Sequence, residues 1–151
     1  MLTVARGGPR CPEDVPSARL AAMLAVALVL AVLAAVLHVA IFTMEAVLFS
    51  ARPDVQERFR TPPADVAAVR SWALNQGFYN LFLAVGALVG AGLAAAGRHD
   101  VGLALVLTTC GSMAAAAVVL VLSDRRMARA ALLQGVLPLL AVVFSVAVLV
   151  R

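Results

Sequence analysis

The sequence contains no lysine and little charge of any kind. Charged residues occupy 13% of its 151 positions and hydrophobic residues occupy 64%. Ordinary soluble domains carry about 25% charged residues. The mean hydropathy is +1.02. A soluble domain of this composition would have too little polar surface to face water, so we expect an integral membrane protein.

All 12 basic residues are arginine, and they give the chain a formal net charge of +4. They lie near the ends of the apolar segments, where arginine anchors helices against lipid headgroups. Nucleic-acid binding requires a basic face with aromatic residues between the charges, and the sequence has no such stretch. The lipid bilayer is therefore the expected partner of these charges, and nucleic acid is not.

Cysteine is scarce as well. Cys11 lies in the N-terminal tail and Cys110 in the third apolar segment, and no CxxC pair is present. This pattern excludes a disulfide framework and a structural zinc site. No glycine-rich phosphate-binding loop is found, and Ser112 has only His38 as a base, with no acid to orient it. We predict no cofactor, no metal site and no catalytic residue of a known motif.

Four apolar segments are long enough to cross a membrane. They run from Leu20 to Phe49, from Gly77 to Gly97, from Val101 to Ser123 and from Ala130 to Val150. About 20 residues, at a rise of about 1.5 Å each, cross a hydrocarbon core roughly 30 Å thick. The abundance of Ala, Leu and Val favours helices over a barrel of alternating strands.

Short connections between the segments predict one all-α domain with four transmembrane helices in an up-down-up-down bundle. We expect residues 18–151 to form this domain and residues 1–17 to form a flexible tail, with Ser17 as the N-cap of the first helix. Trp72 is placed as an interfacial anchor. The predicted location is the cell membrane, as a multi-pass protein, and the Gly- and Ala-rich faces favour a homodimer.

Polar side chains interrupt the first segment and open the second. His38 and Glu45 lie two helical turns apart on one face of the first helix. Counting from Arg52 at about 1.5 Å per residue places Glu45 about 10 Å into the bilayer. The second helix opens with Asn75-Gln76-Gly77-Phe78-Tyr79-Asn80, at roughly the same depth from the same side.

The polar residues of the second helix share one face. At about 100° per residue, Asn75, Gln76, Tyr79 and Asn80 fall within an arc of roughly 140°. Gly86 and Gly90 continue along this arc at a spacing that allows close helix approach. We therefore predict that the arc faces protein and meets the polar face of the first helix.

Six residues form the predicted ligand-binding or proton-binding site: Glu45, His38, Asn75, Gln76, Tyr79 and Asn80. In a low-dielectric site a carboxylate needs hydrogen-bond donors to remain charged, and amides and a phenol are such donors. With enough donors Glu45 holds a cation, and without them it carries a proton. Gln134 lies at a similar depth, and we interpret it as a link between helices.

Three functions remain open at this point. The leading hypothesis is a non-enzymatic protein that binds or transports a small cationic or amphiphilic molecule, or a proton. The second is an intramembrane enzyme acting on a lipid-like substrate, with Glu45 and His38 as acid and base. The third is a structural or assembly role, in which the polar cluster fixes helix register and encloses no cavity.

The spacing His38-x-x-Ile41-x-x-x-Glu45, followed by the motif from Asn75 to Ala84, resembles a family of small bacterial and fungal integral membrane proteins. The family is catalogued as domain of unknown function thirteen-zero-four, and the resemblance extends from about Leu20 onward. Members usually carry an aromatic residue shortly after the glutamate, where this chain has Phe49, and Phe-Gly in the first loop, where it has Phe59-Arg60. The resemblance implies a four-helix membrane fold and no established activity.

Overall fold

The computed structural model describes residues 14–151, and these residues are almost entirely helical. Four candidate membrane spans lie within them, at Ser17–Leu48, Pro63–Ala95, His99–Ser123 and Arg125–Leu149. Each is longer than the roughly 20 residues that a bilayer core requires. The prediction of an all-α, multi-pass membrane protein with four transmembrane helices is confirmed.

Five α-helices are numbered in chain order: α1 (Asp14–Phe42), α2 (Pro53–Arg58), α3 (Val66–Ala95), α4 (His99–Ser123) and α5 (Ala128–Leu149). Short turns of other helical types adjoin three of them: a π-helical turn at Thr43–Leu48 after α1, and 3₁₀ turns at Pro63–Asp65 before α3 and at Arg125–Met127 before α5. The short helix α2 lies in the first loop.

Most of the predicted flexible tail, including Cys11, lies outside the described residues. Helix α1 already includes residues 14–17, so Ser17 lies inside the helix and is not its N-cap. The reason is that Pro16 fits the first turn of a helix, where its missing N–H has no intrahelical partner. Trp72 is 78% exposed on α3, which suits the predicted interfacial position.

Helices that are neighbours in the chain are neighbours in space. Helix α3 packs between α1 and α4, and α5 packs between α4 and α1, whereas α1 and α4 barely touch. The bundle is therefore a closed square with α1 and α4 on one diagonal. All four long helices can contribute side chains to a site on its axis.

Small residues fill the centre of the bundle. The core cluster contains six alanines, five of them on α1 and α3 and the sixth, Ala141, on α5, together with Val106, Cys110 and Met113 on α4. Larger apolar residues, such as Leu122 and Leu132, are exposed on the outside. Lipid tails are as apolar as these side chains, so small residues in the centre and large ones outside permit close packing of helices in a membrane.

The glycines of α3 form part of this packing. A Cβ atom added at Gly86 would lie 2.6 Å from Thr109 Cγ2, and one at Gly90 would lie 2.9 Å from the Gly102 carbonyl oxygen. Both glycines therefore let α3 approach α4 within the same chain. The homodimer stays a prediction.

Helices α2 and α3 end in the same backbone motif. After α2, the Arg60 N–H donates to the Glu57 oxygen at 2.9 Å and the Thr61 N–H donates to the Gln56 oxygen at 2.9 Å. After α3, the N–H groups of residues 97 and 98 make the same two bonds, to the carbonyl oxygens three and five positions before them. The motif needs a left-handed residue, which is Gly97 at φ +86° after α3 but Arg60 at φ +54° after α2.

Replacing Arg60 with glycine is expected to stabilise the protein. A left-handed conformation costs a non-glycine residue about 1–2 kcal/mol, part of which is offset by the greater freedom of glycine in the unfolded chain. We expect a thermal unfolding midpoint about 2–4 °C higher, measured in detergent by a thermal-shift assay. The matched variant Gly97→Ala is expected to lower the midpoint, and a lower midpoint for Arg60→Gly would contradict the prediction.

Candidate functional site in the membrane-spanning region

A π-helical turn carries Glu45. Residues Thr43–Leu48 form this turn directly after α1, with hydrogen bonds from residue i to i+5 instead of i+4. The Thr43 hydroxyl donates to the Val39 carbonyl oxygen at 3.0 Å at the start of the turn. Single π-helical turns within α-helices are frequent at functional sites, because they re-aim side chains. Here the turn holds Glu45 half-buried.

Helix α3 passes close to this turn at Gly77. A Cβ atom added at Gly77 would lie 2.9 Å from Ala46 Cβ, 3.0 Å from the Ala46 nitrogen and 3.2 Å from Glu45 Cβ. Beside this contact, the rings of Phe42 and Phe78 pack edge to face with centroids 5.3 Å apart. The absence of a side chain at Gly77 therefore lets the two helices meet at Glu45.

The close approach brings Asn80 to Glu45. Asn80 Nδ2 donates to Glu45 Oε2 at 2.8 Å and to the Gln76 carbonyl oxygen of its own helix at 3.2 Å. Asn80 is only 9% exposed. The second bond fixes the rotamer of the amide, so Asn80 is a pre-positioned donor to the carboxylate.

A cavity of about 880 Å³ lies beside this hydrogen bond, with walls from all four long helices and the first loop. Its polar lining consists of His38, Glu45, Arg58, Gln76, Tyr79, Asn80, Ser123 and Gln134. The remaining walls are apolar and include three methionines: Met44, Met113 and Met127. Cavities of about 300–1,000 Å³ hold drug-sized ligands, and methionine adapts to ligands of varied shape.

Five of the six predicted site residues line this cavity, and Asn75 does not. The predicted polar arc and the buried face of α3 are centred at different angles around the helix. The buried face of α3 runs through Asn80, Ala84 and Ala87, so Asn80 lies near its centre. Asn75 is about 140° away around the helix and is exposed. The prediction that the whole arc faces protein is wrong for Asn75.

His38 lies deeper in the cavity wall and is 2% exposed. Its Nδ1 lies 2.9 Å from the Ala34 carbonyl oxygen. Because a carbonyl oxygen only accepts, Nδ1 is the donor, and in the neutral ring Nε2 is left as an acceptor. His38 thus adds a hydrogen-bond acceptor to the cavity.

The first loop also contributes to the cavity, a contribution that was not predicted from the sequence. Arg58 and Phe59 line the cavity because the loop folds back onto the end of the bundle. Gln56 Nε2 donates to the Phe49 carbonyl oxygen at 2.8 Å, and the Phe49 and Phe59 rings pack with centroids 6.1 Å apart. The apolar residues Val55 and Phe59, four positions apart in a polar loop, are the signal that would have indicated a packed helix.

Charge compensation differs between the acidic residues on this side of the bundle. The Arg52 side chain, 2.9 Å from Asp54, holds the pKa of that carboxyl below its usual range. Arg126 lowers the pKa of Asp124 in the same way, through its side chain and its backbone N–H. Glu45 forms no ion pair with any residue that the structure describes, and its hydrogen bond comes from the neutral amide of Asn80.

Several polar groups of the cavity make no side-chain hydrogen bond to another described residue. They are the Gln76 amide, the Tyr79 hydroxyl, the Gln134 amide and the Arg58 guanidinium. Within residues 14–151 no group of three His, Cys, Asp or Glu side chains is arranged to hold a metal ion. The site can therefore offer a ligand one carboxylate, neutral donors and acceptors, one arginine at its edge and an apolar wall.

Comparisons with curated proteins and with solved structures give no significant match. A sequence model of one protein family matches residues 32–146, which include the C-terminal part of α1, all of α3 and α4, and most of α5. The match covers the π-helical turn, Gly77 and every residue that lines the cavity. The chain therefore belongs to DUF1304, a family described as proteins of unknown function.

Proposed function

We propose that the protein binds, and thereby transports across or within the cell membrane, a small amphiphilic molecule that carries a cationic group. The carboxylate of Glu45 is the counter-charge. The observation that supports this most is the position of Glu45, which is half-buried in the wall of an 880 Å³ cavity without an ion-pair partner among the described residues.

The chemistry of the lining favours an amphiphile over a bare inorganic cation. A small metal ion prefers a cage of several oxygen ligands, whereas this cavity offers one carboxylate against mainly apolar walls. An apolar ligand body would be buried against Leu37, Leu83 and Met113, and its charged end would lie at Glu45. Burial of both parts in one cavity gives more affinity than either part alone.

The cavity also argues against a purely structural role. A polar cluster that only joins helices is expected to enclose no cavity. Glu45 and Asn80 are joined by a hydrogen bond, but a cavity of about 880 Å³ lies beside them. Gln76, Tyr79 and Gln134 bond to no other described side chain and supply hydrogen bonds to a ligand.

The test is titration with dodecyltrimethylammonium in phosphatidylcholine nanodiscs. Binding is followed by the backbone amide NMR shifts of Gly77 and Asn80, which separate occupancy of the cavity from partitioning into lipid. Glu45→Gln keeps the shape of the side chain and removes its charge. We expect this variant to bind at least about tenfold more weakly, because a partly buried charge pair is lost.

Two controls separate this effect from general electrostatics. Glu57→Gln removes an exposed carboxylate on the same side of the bundle, outside the cavity lining, and is expected to leave the affinity unchanged. The uncharged amphiphile dodecyl maltoside should bind equally to the wild type and to Glu45→Gln. Equal binding of dodecyltrimethylammonium to these two proteins would overturn the proposal.

One observation favours an intramembrane enzyme as the second candidate. His38 and Glu45 line the same cavity, and the neutral ring of His38 presents Nε2 as an acceptor, which a general base requires. Mass spectrometry of lipids incubated with the protein in nanodiscs tests this function. A lipid product that forms with the wild type and not with His38→Ala would establish it.

A further inference from the structure

We propose that the ligand is zwitterionic, with its cationic nitrogen next to the apolar chain and an anionic group beyond the nitrogen. This inference rests on the proposed function and specifies the order of charges in the molecule. It depends on the positions of two opposite charges along the cavity, Glu45 and Arg58, and on the apolar region at its deep end.

Arg58 is the cation of the cavity lining. It ends α2, in the loop between the first two candidate spans, and its side chain is exposed. The ion pairs on this side join Arg52 to Asp54 and Arg126 to Asp124. Arg58 takes part in neither, so its guanidinium is available for an anionic group, which it can bind in a bidentate manner.

Glu45 lies deeper than Arg58. The first span ends at Leu48, which puts Glu45 three residues inside it, on the π-helical turn. His38 is seven residues further in, and the wall between them is formed by Ile41, Leu83 and other apolar residues. From His38 to the loop the order is therefore apolar wall, carboxylate, guanidinium.

A complementary ligand has the order apolar chain, cation, anion. An alkyl chain lies against the deep apolar wall, an ammonium group lies at Glu45 and Asn80, and a sulfonate, carboxylate or phosphate reaches Arg58. Sulfobetaines and N-alkyl amino acids have this order. Phosphocholine headgroups have the reverse order, in which phosphate adjoins the chain, so each charge would meet a like charge of the protein.

Three probes with the same chain length test the order. They are dodecyl sulfobetaine, in which ammonium precedes sulfonate, dodecylphosphocholine, in which phosphate precedes ammonium, and dodecyltrimethylammonium, which has the cation alone. Each is titrated into the full-length protein in phosphatidylcholine nanodiscs, with the amide shifts of Gly77 and Asn80 as the readout. We expect the sulfobetaine to bind about tenfold more tightly than either other probe.

Arg58→Gln is expected to reduce the affinity for the sulfobetaine to that for dodecyltrimethylammonium, and Arg58→Lys to restore part of the difference. Arg129→Gln is the matched control, since it removes an exposed arginine outside the cavity lining on the same side of the bundle. Circular dichroism and the unfolding midpoint verify that each variant is folded.

The outcomes distinguish this inference from the proposed function. Equal affinities for the two zwitterions, or a sulfobetaine preference that survives in Arg58→Gln, would overturn the charge order. Glu45-dependent binding of dodecyltrimethylammonium would still uphold the proposed function in either case. Loss of Glu45 dependence for all three probes would overturn both.

Discussion

Gly102→Val is expected to prevent α4 from packing against α3 and to leave little folded protein. A Cβ atom added at Gly102 would collide with the backbone nitrogen of Ala94 and would lie 2.7 Å from both Ala94 Cβ and the Gly90 oxygen. Two of these three atoms belong to the backbone and cannot rotate away. Overpacking a core costs about 1–3 kcal/mol where side chains can adjust, so we expect more than about 3 kcal/mol here.

Gly111→Val is the matched control on the same helix. Nothing lies within 4 Å of a Cβ atom added at Gly111. Both substitutions place the same β-branched residue in α4, so their difference reports helix packing and not helix propensity. Size-exclusion chromatography in detergent and the thermal unfolding midpoint provide the measurement. Equal midpoints for the two variants would mean that α3 and α4 are not in this close contact.

The four-helix architecture could be predicted because it depends on composition and length. Hydrocarbon contains no water to form hydrogen bonds with the backbone N–H and C=O groups. An apolar segment of about 20 residues that crosses it must therefore be a helix, unless it is part of a closed barrel. The first residue of the first helix could not be predicted: α1 begins at Asp14, so Ser17 lies inside it and is not its N-cap. A proline such as Pro16 is compatible both with a loop and with the first turn of a helix, and the sequence alone did not decide between the two.

The depth of the site in the membrane could be predicted from the sequence, but the full set of its residues could not. Counting residues placed Glu45 and Asn80 at the same level, and the structure joins them by a 2.8 Å hydrogen bond. The helix phase was wrong for Asn75, because the sequence does not show which side of an apolar helix is buried when lipid covers the remainder. The π-helical turn was also missed, since Thr43–Leu48 contains no glycine or proline to mark it.

Close helix contacts occur at both ends of the bundle, and the cavity lies between helices at one of them. Near the loop from α3 to α4, Gly90, Ala94 and Gly102 bring two backbones into direct contact. Near the first loop, Gly77 brings α3 against the π-helical turn, while larger side chains such as Leu83 and Met113 surround open space. The glycine contacts hold the helices together without requiring that this space be filled.

Gly77→Ala is expected to weaken both the fold and the ligand site, because Gly77 is the point where α3 meets the π-helical turn. The added methyl group would lie 2.9 Å from Ala46 Cβ, so one helix must move. We expect a loss of about 1–3 kcal/mol in stability, a shift of the Asn80 side-chain amide in the NMR spectrum as its bond to Glu45 breaks, and weaker binding of dodecyltrimethylammonium.

The control is Gly92→Ala on the same helix, where nothing lies within 4 Å of the added atom. Alanine is a better helix former than glycine by about 0.5–1 kcal/mol, so this variant should be slightly more stable than the wild type. Transferring the methyl group in the double variant Gly77→Ala/Ala46→Gly removes the closest contact. It should restore part of the lost stability and return the Asn80 amide toward its original shift.

If the double variant is no more stable than the added effects of the two single substitutions predict, then Ala46 is not the obstacle. If Gly77→Ala instead increased the stability as much as Gly92→Ala, the close contact itself would be contradicted. It would mean that α3 does not press against the turn at all, and that the bond from Asn80 to Glu45 forms without the close approach. Glu45 would then depend on the π-helical turn alone for its position, and the substitution to examine next would be Thr43→Ala, which removes the bond to Val39.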